Sequence, residues 1–335
     1  MLVSFIVPCY NVSKWVTRCL DSIYALGFSE EEFEIITVDD ASTDDTLSIL
    51  ESYADEHQNL KIVRHLVNRN LGAARNSGLS VSTGRYIIYV DSDDEIGPGM
   101  ANAVRLAESS DLDMVATRIQ SFSEQGVLLK EEFLSEPVDR IISGREFQTE
   151  HPFWYPSVCG YVFSSRLLDS VRYYFVEGAY YEDVDYLCRH LSGVKRMSYY
   201  DECGYKFYIH SDSITHSFSS RHVYGYVLLG FRMISLYESL EDKSSDFASS
   251  ILEGGSYNIM RGFKYLLRLP SVSDVVKFYN LLDARVDRKQ IPSYKVPAYC
   301  WTKWTKLGLR HRNTMVLVSG LLISLRFRDI VKRFS

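Results

Sequence analysis

The sequence lacks the short motifs that identify several common classes of binding site. No G-x-G-x-x-G follows the first predicted strand and no G-x-x-x-x-G-K-[ST] occurs, so the usual dinucleotide and phosphate loops are absent. The six cysteines form no C-x-x-C pair and no zinc-ligand spacing. In a chain of 335 residues we expect such cysteines to be reduced and buried, which predicts a reducing compartment.

Length and composition indicate an ordinary globular protein. The chain is 46% hydrophobic and 24% charged, and it is long enough for one large domain with an appendage or for two domains. Its net charge of −6 argues against nucleic acid as the main partner. The N-terminus has neither the charged region nor the apolar core of a secretory signal, so we expect a cytoplasmic protein.

The C-terminal tail differs in charge from the rest of the chain. Residues 300–335 contain eight Lys and Arg and a single Asp, which gives the tail a charge of +7 and leaves −13 for the body. Its apolar stretch, residues 315–325, is far shorter than the ~20 residues of a spanning helix. Apolar residues at helical spacing, with Trp301 and Trp304, predict a helix on an anionic membrane surface or, alternatively, one packed against the acidic body.

Strands and helices alternate through the first hundred residues. Strand patterns occupy residues 4–7, 34–38, 60–63 and 86–90, the first of them ending at Pro8. Helical patterns begin near Ser13 and at residues 72–79. The alternation predicts an α/β fold with a mainly parallel sheet and right-handed crossovers.

The second helix is expected to begin with a hydroxyl cap. Ser42 or Thr43 could cap it, since a side-chain oxygen there accepts a hydrogen bond from the first turn. Asp44 and Asp45 would then lie in that first turn, where the helix dipole favours negative charge.

Acidic residues follow two of the predicted strands. Asp39 and Asp40 come after the second strand, and Asp91, Asp93 and Asp94 come after the fourth. The carboxyl ends of parallel strands meet at one crevice, where open α/β sheets bind their ligands. Either these acids form solvated turns, or they bind a hard divalent cation, which prefers carboxylate oxygens.

Beyond residue 100 the pattern is less regular. Residues 113–119 are predicted as a strand, 123–136 as a polar loop or hairpin, and 217–293 as helices. The aromatic residues of segment 145–169 are expected in the core or, alternatively, in a sugar-stacking wall. The pair Glu182-Asp183 opens a predicted helix, and either stabilises its end or accepts a proton from an attacking hydroxyl.

Five segments, in this order, resemble family 2 glycosyltransferases, which have the GT-A fold. They are S4-F-I-V-P-C-Y-N11, E34-I-I-T-V-D-D-A-S-T-D44, N70-L-G-A-A-R-N-S-G78, G84-R-Y-I-I-Y-V-D-S-D-D94 and Y181-E-D-V-D-Y186. The resemblance implies a Rossmann-like mixed, mainly parallel sheet flanked by helices, with a C-terminal helical extension. It divides the chain into a nucleotide-sugar-binding half (1–100), an acceptor-binding half (101–216), a helical extension (217–300) and a basic membrane-associating tail (301–335).

The resemblance also implies a role for each matching residue at the donor site. The nucleotide-sugar would be bound by Pro8, Tyr10, Asn11, Asp39, Asp40, Arg75, Asp91 and Ser92. A divalent cation, Mn²⁺ or Mg²⁺, would be ligated by Asp93 with Asp91, supported by Asp94. His210 or His216 could add a ligand or be purely structural, near Tyr208 where relatives often carry an Arg.

The implied reaction is an inverting transfer with Asp183 as the catalytic base and Glu182 helping to hold the acceptor. A hexose or N-acetylhexosamine would pass from a UDP-sugar to a hydroxyl of a glycan or lipid-linked acceptor. The product would be a bacterial surface polysaccharide (capsule or exopolysaccharide) made at the cytoplasmic face of the membrane. No Ser-His-Asp arrangement is recognisable in the sequence, so no covalent enzyme nucleophile is expected. A homo-oligomer is compatible with the sequence.

Two other classes fit some of the same residues. A D-x-D after a strand also suits a metal-dependent phosphohydrolase of the haloacid dehalogenase type, with Asp91 as nucleophile. A catalytically silent membrane scaffold could keep the fold, although Asp93 and Asp183 are both present. Asp91→Asn separates the transferase from the phosphohydrolase. It would abolish the aspartyl-phosphate of a phosphohydrolase but would only weaken the contacts of a transferase to metal or ribose.

Overall fold

The computed structural model describes residues 1–132, 140–151, 157–171, 173–210 and 219–283. The chain divides into two compact units, the first formed by residues 1–178 and 186–211, the second by residues 179–185 and 212–335. The finer division expected from the sequence, at residues 100, 216 and 300, stays a prediction.

Four parallel strands open the first unit. They are β1 (Val3–Cys9), β2 (Phe33–Asp39), β3 (Leu60–Arg64) and β4 (Tyr86–Tyr89), and they lie side by side in the order β3-β2-β1-β4. The connecting helices are α1 (Val16–Tyr24), α2 (Thr46–Glu56) and α3 (Leu71–Val81). The predicted α/β alternation is therefore confirmed.

The central strands are buried on both faces. Every residue of β1 and β2 is buried, as expected for parallel strands covered by helices. On α1 the apolar stripe at helical spacing, which includes Val16, Leu20 and Ile23, is buried as well. Burial of this stripe turns one face of α1 toward the sheet, and the polar residues of the helix lie on its other faces.

The first strand continues through Pro8 instead of ending there. Pro8 pairs with Val38 of β2, whereas β4 accompanies β1 only as far as Ile6. A proline has no backbone N–H to donate, and it is tolerated in a strand where one side is unpaired.

The second helix begins later than expected. α2 starts at Thr46, and its first turn contains no acidic residue. Ser42 and Thr43 instead contact Asn11: the Asn11 backbone N–H donates to Ser42 Oγ at 3.1 Å, and Asn11 Oδ1 accepts from Thr43 N at 2.8 Å. These polar residues therefore connect the turns that follow β1 and β2, and the cap predicted for α2 is wrong.

The sheet of the first unit continues with mixed strands. Beyond β4 the order is β8 (Tyr161–Ser164), β6 (Met114–Ser123), β9 (Met197–Ile209) and β5 (Glu95–Ile96). The β6–β9 pairing is parallel, and the pairings β4–β8, β6–β8 and β5–β9 are antiparallel. β7 (Leu128–Glu132) pairs antiparallel with β6, so the described part of the segment predicted as a loop or hairpin, residues 123–132, forms a hairpin.

Helices complete the first unit and form the described part of the second. α4 (Gly99–Ser109), α5 (Gly144–Glu150) and α6 (Ser165–Val171) belong to the first unit, and α7 (Glu182–Gly193) begins in the second unit and ends in the first. The second unit contains α8 (Ser220–Ser239), α9 (Asp246–Tyr265) and α10 (Val272–Asp283), which confirms the helical extension.

Membrane association is not decided by the described helices. Over the ranges given above, no helix combines the length and the apolar character needed to cross a bilayer. The basic tail, residues 301–335, lies outside the described residues, and its contact with a membrane surface stays a prediction.

Candidate active site

Three aspartates follow β4 within four residues, and their surroundings differ. Asp91 and Asp93 keep 29% and 32% of their side chains exposed, whereas Asp94 is 1% exposed. Asp94 accepts a hydrogen bond from Tyr205 Oη at 2.6 Å and another from the Tyr208 backbone N–H at 2.7 Å. Asp94 therefore joins the acidic turn to β9, and the other two carboxylates remain accessible to a ligand.

Arg75 of α3 holds Asp91 in place. Its Nη2 donates to Asp91 Oδ1 at 2.6 Å, and its guanidinium lies 5.3 Å from the ring centroid of Phe175. Arg75 is 1% exposed, so the structure places it as a support of Asp91. Its predicted direct contact with the nucleotide or its phosphates stays a prediction.

His210, one of the two predicted histidine ligands, lies beside Asp93. Its Nε2 is 2.8 Å from Asp93 Oδ2, and its ring stacks on Trp15 with centroids 4.4 Å apart. The Nδ1 atom of His210 is buried and has no hydrogen-bond partner among the described residues. The other histidine, His216, lies outside the described residues.

Arg18 of α1 fixes the backbone of the acidic turn. Its Nη2 donates to the carbonyl oxygen of Asp93 at 2.7 Å, and its Nε lies 3.2 Å from a carboxylate oxygen of Glu95. The guanidinium also lies 3.6 Å from the centroid of the Tyr208 ring. The resemblance placed an Arg near position 208, and Arg18 of α1 instead brings a guanidinium to the Tyr208 ring, while Lys206 of β9 also pairs with Glu95, at 3.3 Å.

Burial and the crowding of like charges raise pKa values in the acidic turn. Burial, followed by the negative charge of Asp91, raises the pKa of Asp93, although the hydrogen bond from His210 opposes the shift. Burial and the charges of Asp93 and Asp91 raise the pKa of Asp94 well above its usual range. A divalent cation would favour the ionised form of these carboxylates and so relieve their repulsion.

Asp93 and His210 are neighbouring side chains of types that ligate divalent cations. Within the described ranges, no three His, Cys, Asp or Glu side chains are placed so that together they could hold a metal ion. Mg²⁺ ions are commonly held by one or two carboxylates together with substrate phosphates, and imidazole is an additional ligand for transition metals. The donor set therefore fits a cation that binds together with a diphosphate.

The two aspartates after β2 have different surroundings. Asp40 Oδ1 accepts from the Arg69 backbone N–H at 2.8 Å and contacts His65 Nδ1 at 2.6 Å, while Oδ2 accepts from the Asn70 N–H at 2.8 Å. The Asp40 carboxylate thereby holds the connection between β3 and α3. These contacts leave it little capacity for the nucleotide contact that was predicted.

Asp39 is the better candidate for contact with the nucleotide base. Its Oδ1 accepts from the Ser42 N–H at 3.2 Å, and its Oδ2 has no hydrogen-bond partner in the part of the chain that the structure describes. Tyr10, at the end of the neighbouring strand, is 46% exposed. A base that stacks on Tyr10 could therefore donate a hydrogen bond to Asp39.

The remaining predicted donor residues lie around these side chains. Pro8 is buried in β1, and Asn11, with a left-handed φ of +54°, connects the two turns as described above. Ser92 is buried, with 4% of its surface exposed. Their contacts with a nucleotide stay predictions.

A Ser-His-Asp chain is present, which the sequence did not suggest. His65 connects Asp40, through Nδ1 at 2.6 Å, to Ser77 Oγ, through Nε2 at 2.8 Å. The expectation that no covalent enzyme nucleophile is used stays a prediction. Ser77 lies within α3, where the helix uses the backbone N–H groups that an oxyanion hole would need, so the chain is suited to holding α3 and not to nucleophilic catalysis.

The predicted catalytic pair opens α7 in the second unit. Glu182 is 6% exposed and Asp183 is half-buried. Asp183 Oδ1 accepts from the Val184 N–H at 2.9 Å, and Asp185, one residue further on, accepts from Arg232 Nε at 2.7 Å. Asp183 is thus the more accessible member of the pair, as a proton acceptor must be.

Comparison with known proteins decides the family. The family model described as Glycosyl transferase family 2 matches residues 4–168, which include β1 to β4 and the acidic turn. The chain belongs to glycosyl transferase family 2. It is a glycosyltransferase, and the phosphohydrolase alternative is thereby set aside.

Two sequence relatives show the extent of the similarity. The uncharacterized glycosyltransferase YibD of Escherichia coli (strain K12) is 26% identical over 261 residues, which cover 74% of this chain and 73% of YibD. The poly(ribitol-phosphate) beta-glucosyltransferase of Bacillus spizizenii is 33% identical over 129 residues, which cover 38% of this chain. The match spans 20% of the length of the Bacillus protein.

A solved structure confirms the fold of the transferase. The crystal structure of S. aureus TarS 1-349 in complex with UDP-GlcNAc superposes with a TM-score of 0.70 at 22% sequence identity. The superposition covers 98% of this chain and 92% of the other. The predicted GT-A fold, with its mainly parallel sheet and C-terminal helices, is therefore confirmed.

Proposed function

We propose that this transferase moves a hexose or N-acetylhexosamine, with inversion, from a UDP-sugar to a hydroxyl of a glycan or lipid-linked acceptor in surface-polysaccharide synthesis. The observation that carries the proposal is the acidic turn after β4. There the carboxylates of Asp91 and Asp93 remain partly exposed and repel each other, and Asp93 lies beside His210. The divalent cation that accompanies a diphosphate would supply further positive charge to this turn.

The donor would extend across the ends of three adjacent strands. β4 pairs with β1 and β1 with β2, so Asp91 and Asp39 follow strands that are two positions apart, roughly 10 Å at the usual strand spacing. That separation suits a nucleotide whose base meets Asp39 and whose diphosphate meets the acidic turn. The UDP-GlcNAc complex of TarS supports uracil as the base.

Mn²⁺ or Mg²⁺ would be held by Asp93, and Asp91 and His210 are the candidates for further ligands. Bound there, such a cation would stabilise the negative charge that develops on the leaving diphosphate. The surrounding residues keep its ligands in place before the donor binds: Arg75 holds Asp91, Trp15 packs against His210, and Arg18 holds the backbone of Asp93. Such preorganisation is what electrostatic catalysis requires.

Asp183 would accept the proton of the acceptor hydroxyl. As the acceptor oxygen bonds to the anomeric carbon, the bond from that carbon to the diphosphate oxygen breaks and its electron pair leaves with UDP. The proton passes to the Asp183 carboxylate, and Glu182 helps to hold the acceptor. A single displacement converts an α-linked donor into a β-linked product, in keeping with the beta-glucosyltransferase name of the Bacillus relative.

Calorimetry with nucleotide-sugars tests the donor assignment. UDP-GlcNAc, UDP-glucose and GDP-mannose would each be titrated in Mn²⁺ and again in EDTA. We expect binding of a UDP-sugar that is lost in EDTA. Equal binding in EDTA would remove the metal from the proposal, and binding of GDP-mannose alone would remove uridine.

Asp183→Asn tests the base. Because a positioned base contributes about 10²–10⁴-fold to rate, we expect turnover to fall by that factor while the affinity for the donor is retained. Asp246→Asn is the matched control, since Asp246 also lies in the first turn of a helix of the second unit. Wild-type turnover in Asp183→Asn would end the base assignment.

The tail would bring the transferase to the cytoplasmic face of the membrane. Its charge of +7 suits anionic lipids, to which each basic residue near the surface contributes about 1 kcal/mol. Deleting residues 301–335 is expected to release the protein from phosphatidylserine vesicles in a flotation assay. Retention by the vesicles would instead favour a tail that packs on the body.

A further inference from the structure

Tyr181 has a backbone conformation that large residues rarely adopt. Its φ is +65°, in the left-handed region, and it directly precedes α7 and the Glu182-Asp183 pair. Such a conformation persists only where the surrounding structure holds it, and it is found most often where function depends on geometry. The contacts of Tyr181 within the second unit show what holds it.

Aromatic residues of α8 hold the side chain of Tyr181. Its ring stacks on Tyr226 with centroids 4.2 Å apart and an interplanar angle of 27°, and it packs edge-on against His222 with centroids 6.3 Å apart. The preceding ring, Tyr180, also packs on His222, at 4.6 Å. Two consecutive tyrosines are thus packed against one face of α8.

A glycine in α8 allows this close approach. A Cβ atom at Gly225 would lie 2.6 Å from the carbonyl oxygen of Tyr180 and 3.0 Å from the ring of Tyr181. The first contact is with backbone, which cannot turn away as a flexible side chain can. Only glycine at position 225 therefore lets segment 180–181 lie against the helix in this way.

A second attachment to α8 follows the acidic pair. Asp185, 3% exposed, accepts from Arg232 Nε at 2.7 Å. Glu182 and Asp183 therefore lie between two anchors on one helix, the tyrosines before them and the ion pair after them. The direction of their carboxylates is set by how segment 180–185 rests on α8.

We infer that Tyr181 is a positioning residue for catalysis, which sets the orientation of Asp183 through its left-handed backbone and its stack on Tyr226. The inference rests on the proposed role of Asp183 as the base. Tyr181 touches no reacting atom in this scheme, so its loss acts on the proton-transfer step and leaves donor affinity unchanged.

Tyr181→Gly and Tyr181→Phe separate the ring from the hydroxyl. Glycine accepts the left-handed backbone but removes the stack, whereas phenylalanine keeps the stack. With UDP-GlcNAc and Mn²⁺, measured as release of UDP, we expect kcat to fall about 10- to 100-fold in Tyr181→Gly, since small misplacements of a catalytic group cost that much. Tyr181→Phe should stay within about 3-fold of wild type, and the Kd for UDP-GlcNAc should be unchanged in both.

Gly225→Ala disturbs the same contact from the opposite side. It leaves Tyr181 intact but displaces the carbonyl of Tyr180, so it should reproduce the kcat loss of Tyr181→Gly. Gly254→Ala in α9 is the matched control, because its Cβ would meet the terminal methyl of Met233, which can move. Equal effects of the two alanine variants would show general destabilisation and overturn the inference.

Two further measurements separate this inference from the proposed function. If Tyr181 acts through Asp183, adding Tyr181→Gly to Asp183→Asn should lower turnover little further, and full additivity overturns the inference. Amide hydrogen exchange at residues 184–186 should accelerate in Tyr181→Gly but not in Tyr181→Phe, and unchanged exchange also overturns it. Exchange does not depend on turnover, so it decides the inference even if Asp183→Asn proves fully active and the base assignment fails.

Discussion

Acidic side chains at the two ends of the parallel sheet have opposite surroundings. At the amino end, Glu34 of β2 is 0% exposed and accepts hydrogen bonds from Ser4 Oγ at 2.6 Å, Lys61 Nζ at 2.7 Å, and the Thr83 N–H and Oγ1 at 2.7 and 2.8 Å. Burial alone would raise its pKa, but these donors together hold the pKa of Glu34 at about 2.

At the carboxyl end the balance is reversed. Burial and neighbouring negative charge raise the pKa values of Asp93 and Asp94. The cation nearest the exposed carboxylates, Arg75, is committed to Asp91. The protein thus supplies all the donors that stabilise the charge of Glu34, which has a structural role. At the carboxyl end, where the donor is expected to bind, it leaves part of the negative charge to be balanced by a ligand.

Glu34→Gln should produce the largest change in stability. The amide cannot accept all four hydrogen bonds and carries no charge for Lys61, so we expect the free energy of unfolding at pH 7 to fall by about 3 kcal/mol, the equivalent of the pKa shift. Urea denaturation measures this loss. Glu51→Gln is the control, since Glu51 is exposed and its pair with Arg64 is loose, at 3.7 Å.

The loss of stability in Glu34→Gln should depend on pH. The folded-state pKa of Glu34 lies below its ordinary value of 4.5, so the unfolded chain binds the proton first and the stabilisation is lost as pH falls. The difference in stability between wild type and Glu34→Gln should be constant from pH 7 to about 5 and shrink toward zero near pH 2. A difference that did not depend on pH would show that the charge of Glu34 contributes nothing.

Asp93→Asn should affect function and leave stability intact. Loss of the expected metal ligand should weaken Mn²⁺-dependent binding of a UDP-sugar by about 100-fold, the upper range for disturbing a metal site's supporting shell. The free energy of unfolding should not fall, because one of three crowded negative charges is removed. Calorimetry measures the donor affinity and urea denaturation of the same preparation measures the free energy of unfolding. Asp111→Asn is the control, since Asp111 is an exposed acid.

Trp15→Leu should have a smaller effect of the same kind. It removes the ring that stacks on His210 at 4.4 Å but leaves every expected ligand in place. We expect Mn²⁺-dependent donor affinity to fall about 10-fold, as for other residues that orient a metal ligand. Wild-type affinity would show that His210 is held sufficiently by Asp93 alone.

Lys61→Met should be the mildest change. Lys61 is half-exposed and supplies one of the four donors to Glu34, so solvent already screens much of the attraction. A loss of about 1 kcal/mol in unfolding free energy is expected, and donor binding should be unaffected. A loss equal to that of Glu34→Gln would mean that Lys61 accounts for the whole effect.

Much of the candidate site could be predicted from local pattern. The strands, the acids at their carboxyl ends and the Glu-Asp pair of α7 are contiguous in sequence, and period and position identify them. The supporting residues could not be found in this way. Trp15 directly precedes α1 and Arg18 lies within it, and they meet His210 and the acidic turn only because β9 and β5 pair beside each other.

Local pattern also failed where a competing contact was distant. Ser42 and Thr43 are residue types that often cap helices, but in the structure both form hydrogen bonds with Asn11 of another turn. Asp39 and Asp40 are equivalent in sequence, and the backbone of residues 69–70 together with His65 makes Asp40 structural.

The sequence by itself determined the family, the α/β alternation and which strand ends carry carboxylates, because each of these is written in short contiguous segments. Only the tertiary structure decided which carboxylate is buried, which is paired and which is left for a ligand. The physical reason is that the pKa and the accessibility of an acid depend on donors and charges within a few ångströms, and those come from parts of the chain as far apart as Arg18, Arg75 and His210.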